Sequence, residues 1–328
     1  MPLFDMQIDQ LKKYTGTNPL PKDFDRYWDE GLDSLSNIDT KIEFKKSTFE
    51  TSFANCSDLY FTGTQNARIH AKLLQPKNKN INKSHPAVII FHGYRGSSGD
   101  WSDDNKMAFV AQGFTVAALD CRGQGGTSQD VGNTIGNTEG GHIIRGLSEN
   151  HPEKLLFRQI FLDTVLLTKI VMNLPNVDEN RIGVTGRSQG GGLSIACGSL
   201  VPQIKMIAPV LPFLSDYKRV WELDQIVNKS NAYFELHDYF RKFDPLHNSE
   251  KEIFEKLGYI DIHHLAPRIK GEVLMAISLL DTICPPSTQF AAYNKITSKK
   301  EVVVYPDYAH EGNLPGHSDR IFNFLSKL

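Results

Sequence analysis

The chain has no excess of either charge: 36 lysines and arginines against 38 aspartates and glutamates leave a net charge of −2 over 328 residues. Proteins that grip duplex nucleic acid or an anionic membrane surface rely on a basic excess, so neither partner is expected. Cysteine is scarce as well. Cys56, Cys121, Cys197 and Cys284 lie far apart, with no Cys-x-x-Cys pair and no zinc spacing, which argues against a disulfide framework or a structural metal. Long apolar runs are missing: the longest, residues 273–280, falls far short of the roughly 20 residues that cross a bilayer. Residues 1–14 lack a basic start followed by an apolar stretch, so no secretory leader is read there and a cytoplasmic protein is expected. No Gly-x-x-x-x-Gly-Lys loop is present to cradle a phosphate.

What is present suits one large core, since 40% of the residues are hydrophobic. A single domain over residues 1–328 is expected. Residues 1–40 read as an N-terminal helical extension, because Phe24, Tyr27, Trp28 and Leu32 recur at three- and four-residue spacing. Alternating stretches at 58–62 and 67–74 flank Thr64, Gln65 and Asn66, which predicts an antiparallel hairpin with one wet face. Short continuous apolar runs follow at 87–91, 115–119, 182–185, 204–207, 273–280 and 302–305. Strands buried on both faces read this way, and helical periods lie between them, clearest at 158–172. The fold class is therefore α/β, a doubly wound and mostly parallel sheet. The Lys- and Asn-rich run 77–83 reads as a solvated loop. Residues 122–157 are Gly-rich and too long for a plain connection. Residues 212–267 read as a helical insertion over the sheet edge, with short helices at 217–223, 233–240 and 251–257.

The sharpest local signal is Gly186-Arg187-Ser188-Gln189-Gly190, directly after the run 182–185 and directly before a small-residue helix at 193–197. A strand–turn–helix with this pattern is a nucleophile elbow, where a tight turn lifts a serine hydroxyl out of the chain. The bland alternative is a Gly-rich helix start that merely packs closely. Such a hydroxyl is a poor nucleophile, so it needs a base, and the base needs an orienting carboxylate. Asp281 follows one strand and His310 the next, in the order Ser, acid, His. Of the eleven histidines only His310 and His317 lie beyond Asp281, and His317 opens the terminal helix. Asp307 is a rival acid, but it sits too close to His310 in sequence to approach the ring from its far side. A developing oxyanion needs two N–H donors. They are expected from the backbone of Gln189 and from Tyr94 in the loop His92-Gly93-Tyr94-Arg95-Gly96, with His92 a structural hydrogen-bonding residue. The pair His263 and His264 is read as packing rather than metal binding, having no carboxylate or thiol at ligand spacing. Phe213, Tyr217 and Trp221 are read as the insertion's own core. No acidic residue follows the glycines at dinucleotide-site spacing.

Arg122-Gly123-Gln124, the Ser188 pentapeptide and His310-Glu311 together resemble the three signatures of the acetyl xylan esterase and cephalosporin C deacetylase family, carbohydrate esterase family seven. His92–Gly96, the stretches 141–146, 212–221 and 284–290 are similar to the family too. The likeness therefore runs from near the N-terminus to the last helix. Val210-Leu211 before Pro212 departs from the Tyr-Pro of many members, a difference at the pocket wall. The resemblance implies an α/β-hydrolase in which Ser188, Asp281 and His310 form a catalytic triad and the backbones of Tyr94 and Gln189 bind the oxyanion. It implies deacetylation of small substrates, acetylated xylo-oligosaccharides and cephalosporin C among them, through an acyl-enzyme and without a cofactor or metal. It further implies an intracellular homohexamer whose sites face an interior cavity, with 122–157 and the N-terminal helix as subunit contacts and Arg122 and Gln124 as framework residues. A dienelactone-type hydrolase, another short-chain esterase, a peptidase or a thioesterase could run on the same three side chains.

Overall fold

The computed structural model describes residues 5–77, 84–132, 134–148, 150–223 and 232–328. The predicted hairpin is present as β2 (Ala54–Thr62) and β3 (Arg68–Pro76), paired antiparallel from Ala54 opposite Pro76 to Thr62 opposite Arg68. Gln65 and Asn66 take positive φ (57° and 62°) in the turn, a conformation Asn tolerates better than most residues. A strand not read from the sequence, β1 (Glu43–Lys46), extends this hairpin at the edge with all four residues exposed.

The parallel strands fall where the apolar runs lie: β4 (His85–Phe91), β5 (Thr115–Leu119), β8 (Val177–Arg187), β9 (Met206–Val210), β10 (Glu272–Ser278) and β11 (Lys300–Tyr305), while β6 (Asp130–Val131) and β7 (Ile135–Gly136) form a separate small hairpin. Nine strands make one sheet in the order β1-β2-β3-β5-β4-β8-β9-β10-β11, parallel from β5 onward. Alternation splits β4 between two cores. Val88 and Ile90 face Phe109 and Phe324, on α3 (Lys106–Ala111) and α11 (His317–Leu325), whereas Ile89 and Phe91 join the layer of α4 (Leu156–Met172) and α5 (Gln189–Leu200). Covering both faces removes the wet side that the N-terminal hairpin keeps.

The N-terminal extension is helical in separate pieces: α1 (Ile8–Leu11) and α2 (Phe24–Ser34) are separated by a non-helical strap. Gly16, Pro19 and Pro21 break the helix there, and Thr17 and Asn18 instead donate their N–H groups to the Asp216 carboxylate at 3.1 and 2.9 Å. The insertion leaves β9 and returns at β10, two adjacent internal strands. Its helices α6 (Tyr217–Glu222), α7 (Phe234–Phe243), α8 (Glu250–Gly258) and α9 (Ile262–Leu265) pack on α5, on α10 (Pro286–Lys295) and on the N-terminal segment, where Trp28 Nε1 donates to Tyr259 O at 2.9 Å. Buried Phe213, Tyr217, Phe240 and Phe254 demand that cover; Phe213 and Tyr217 join the main core instead of a separate one, and Trp221, partly buried, packs on Phe240 and Phe254. Residues 78–83 of the Lys-rich run lie outside the described residues. Among the described residues no helix is long and apolar enough to cross a membrane. All four cysteines are buried and unpaired.

Candidate active site

Strand β8 ends in the elbow, and its geometry explains the glycines. Ser188 sits at φ 58°, ψ −118°, a conformation that costs a non-glycine residue about 1–3 kcal/mol and persists only where the surroundings enforce it. They do so here. Ser188 N–H donates to Val210 O at 2.9 Å, and Ser188 O accepts from Gly192 and Phe213 N–H, both at 3.0 Å. A Cβ on Gly190 would stand 2.0 Å from Phe91 O, and one on Gly186 2.5 Å from the same atom. Only glycine lets the turn nest against β4 this closely.

The other two sequence-predicted groups arrive from β10 and β11. His310 Nδ1 meets Asp281 Oδ2 at 2.7 Å. Asp281 is fully buried, and its Oδ1 accepts from Ile283 and Cys284 N–H at 2.9 and 2.8 Å. Gln289 Nε2 donates to Oδ2 at 3.2 Å, so the carboxylate is held from several sides. Asp307, the rival, is exposed on a turn. The buried Cys284 thiol lies near the Ser188 side chain. One ligand atom from each of Cys284, Asp281 and His310 lies within 4.8 Å of the others, so thiol, imidazole and carboxylate converge on one spot. Burial pushes the Cys284 thiol well above its ordinary range, which keeps it protonated beside the serine. Arg187, the variable residue before Ser188, donates from Nη2 to His310 O at 2.9 Å and so anchors the histidine loop to the elbow. Burial lowers its guanidinium, against the pull of the Asp281 and Glu311 charges. Sequence reasoning gave no role to Cys284, Gln289 or Arg187.

The proposed N–H donors flank this spot. Gln189 opens α5, so its N–H has no intrahelical acceptor. Gly93 lies beside Arg187 O, which brings the 92–96 loop against the elbow. Neither the Tyr94 nor the Gln189 N–H carries a hydrogen bond among the described residues. His92 is structural, as expected: its Nε2 accepts from Cys121 N–H at 3.0 Å and its Nδ1 faces Gly93 O at 2.7 Å. Of the two framework residues, Arg122 is bidentate to buried Asp163, with Nε and Nη2 each at 2.7 Å, and Gln124 reaches the Gln189 side chain. Beside the elbow, a cleft of about 550 Å³ opens between the 93–105 loop and α11. Tyr94, Asp103, Asn105, Arg187, Asn313 and His317 line it with hydrogen-bond donors and acceptors, and Phe91, Phe109, Leu314 and Ile321 add an apolar wall. His317 is buried with both ring nitrogens unpartnered, and burial holds it neutral with its pKa pushed down to about 4.

One reading of the sequence fails here. His263 and His264 do have a carboxylate neighbour, since Asp261 Oδ1 meets His263 Nδ1 at 2.6 Å. The residue two positions earlier was overlooked because it opens a helix of only four residues. The cluster still does not resemble a metal site. Asp261 also accepts the Asp216 and His263 N–H groups at 2.9 and 3.2 Å, and His264 Nε2 faces the Asn18 and Pro19 carbonyls at 3.1 and 3.2 Å. Asp261 Oδ1, His263 Nδ1 and His264 Nε2 are each engaged within the N-terminal strap and the insertion.

Strand order, the elbow and the acid and histidine on successive strands define an α/β-hydrolase. Residues 1–328 match the acetyl xylan esterase (AXE1) family, and the chain belongs to it, a family of carboxylic ester hydrolases. Acetyl xylan esterase 1 from Thermoanaerobacterium sp. JW/SL YS485 is 57% identical, with a TM-score of 0.92 over 98% of this chain and 99% of that structure. The acetyl xylan esterase from Paenibacillus sp. R4 is 33% identical, with a TM-score of 0.87 over 98% and 99% of the two chains. Among curated proteins, acetyl esterase Axe7A of Xylanibacter ruminicola is 24% identical over 305 residues, 92% of this chain and 65% of that esterase's length.

Proposed function

We propose that the chain is a serine carboxylesterase that removes acetyl groups from small acetylated carbohydrates such as xylo-oligosaccharides, through an acyl-enzyme. Ser188 Oγ attacks the acetyl carbonyl while His310 Nε2 takes its proton, and Asp281, bonded to Nδ1, fixes the ring and stabilises the imidazolium. The Tyr94 and Gln189 N–H groups stabilise the charge that develops on the carbonyl oxygen. His310 then protonates the departing sugar oxygen. Water, activated by the same imidazole, attacks the acyl-serine and releases acetate. No step calls for a metal or cofactor.

The observation that carries this reading is the 2.7 Å contact between His310 Nδ1 and Asp281 Oδ2 beside a serine held on a strained elbow. The polar side chains of the cleft support a polyhydroxylated leaving group, because hydroxyls both give and accept hydrogen bonds, and its volume lies within the ~300–1,000 Å³ of small-molecule sites. The acetyl ester of cephalosporin C is a second proposed substrate. The four free thiols suit a reducing, cytoplasmic setting, and the family likeness suggests a homohexamer, for which a light-scattering mass is the check. Acetyl, butyryl and octanoyl esters and an acetanilide, assayed side by side, test the activity. Acetyl esters are expected to turn over fastest; a preference for the octanoyl ester or the amide contradicts deacetylation.

A further inference from the structure

The insertion reaches the site through one carboxylate. Glu235, in the first turn of α7, is 8% exposed. Its Oε1 accepts from the Gly141 N–H at 2.7 Å and from the Tyr94 phenol, and its Oε2 accepts from the Ile143 N–H at 2.8 Å. The His142 N–H points at the Tyr94 phenol oxygen at 3.4 Å, and the Tyr94 ring packs 5.0 Å from His142 and 5.7 Å from Phe213. One side chain thus ties together the 92–96 loop, the 141–143 loop and α7. Burying a carboxylate costs several kcal/mol unless its lone pairs are met, and apolar packing would hold the same segments without that cost. The feature that packing cannot supply is a fixed direction for the Tyr94 phenol.

That direction bears on the chemistry. Tyr94 lies between Gly93 and Arg95, and Gly96 follows; Arg95 takes a positive φ of 64°. A backbone bracketed by glycines has many alternatives; the Gly96 N–H bond to Gly93 O, the Gly125 N–H bond to Gly96 O and the Arg95 N–H bond to Gln124 Oε1 hold its ends, and the Tyr94 side chain adds a restraint at the residue whose N–H matters. We infer that Glu235 is a positioning residue: by holding the Tyr94 phenol it fixes the Tyr94 N–H in the direction an oxyanion requires, so α7 of the insertion sets the geometry of the hole. The inference rests on the proposed role of Tyr94 as a donor. Misplacing a reacting group by about 1 Å, or losing one oxyanion donor, costs on the order of 10²-fold in turnover.

Glu235→Gln tests it. The amide keeps the size but must turn its NH₂ toward at least one of the three donors. Turnover of a small acetyl ester is measured per active site, with sites counted by stoichiometric fluorophosphonate labelling. Glu235→Gln is expected to label fully, to keep KM within about 3-fold, and to lose about 10- to 100-fold in kcat. Tyr94→Phe, which deletes only the phenol oxygen, should lose kcat similarly, and the double variant should be no worse than the poorer single one. Unchanged kcat per labelled site in Glu235→Gln, or losses that multiply in the double variant, overturns the inference. If Glu235→Gln does not fold, Tyr94→Phe decides alone, and its unchanged kcat is equally damaging. A parent protein that takes no label removes the esterase reading and this one together; a labelled parent with an unaffected Glu235→Gln removes this one alone.

Discussion

Gln124 and Gln189 face each other amide to amide: Gln124 Nε2 donates to Gln189 Oε1 at 2.8 Å, and Gln189 Nε2 returns to Gln124 Oε1 at 3.1 Å. The Gln124 oxygen also accepts the Arg95 N–H, so one buried side chain joins the start of α5 to the loop that carries Tyr94. Gln124→Ala leaves Gln189 Oε1 and the Arg95 N–H without the partners they have here. It should cost about 1–3 kcal/mol of stability and about tenfold in kcat, read from a denaturant titration and an acetyl-ester assay. Unchanged kcat in a destabilised variant limits Gln124 to a structural role.

Arg122 and Asp163 form a buried bidentate pair, and Thr64 Oγ1 accepts from Arg122 Nη2 at 2.9 Å. Burial pushes the Asp163 carboxyl up, and the guanidinium pulls it back only partly. Arg122→Met strands that carboxylate and should cost about 3–5 kcal/mol in denaturant unfolding. Arg122→Met combined with Asp163→Leu should recover most of the loss. A single variant costing under about 1 kcal/mol contradicts the pair's importance.

Glycines at the elbow and beyond it should respond in opposite ways. Gly190→Ala drives a methyl into Phe91 O and is expected to lose more than about 3 kcal/mol or fail to fold. Gly312→Ala meets nothing within 4 Å and should melt within a few degrees of the parent. Equal melting temperatures for the two would show that the elbow has room to relax.

Acid should unfold the protein earlier than its carboxylates alone demand. Burial holds His142, His264 and His317 at about 4, below the roughly 6.5 of an unfolded histidine. Between those values the unfolded chain binds more protons than the folded one, so stability falls as pH falls. The contribution of the neutral rings is complete above about pH 6.5 and lost progressively toward pH 4. Denaturant midpoints should be flat above pH 7 and drop across that window, with a shallower drop for His317→Phe. A midpoint that holds steady down to pH 4 contradicts the buried neutral state.

Much of this was legible because it repeats a period. Two-sided strands such as 87–91 write themselves as unbroken apolar runs, and the elbow has a fixed spacing on a strand–turn–helix. Less legible were features whose cause is tertiary. β1 exposes all four residues, so no alternation betrays it. The strap at 12–23 and the placement of the insertion depend on Asp216, Asp261 and His264 meeting across some 200 residues of sequence. Gln289 reaches Asp281 only because the loop 279–285 turns back between β10 and α10. Glu235 looks like one more surface charge on an amphipathic helix, and no pattern in its neighbourhood marks it as buried.

That Ser188 performs the nucleophilic step is tested most directly by the turnover of Ser188→Ala on an acetyl ester, beside its thermal melt. Removing the hydroxyl should lower kcat by on the order of 10⁴–10⁶-fold while the melting temperature stays near that of the parent. A folded Ser188→Ala protein that loses only a few-fold would mean that another group attacks the ester.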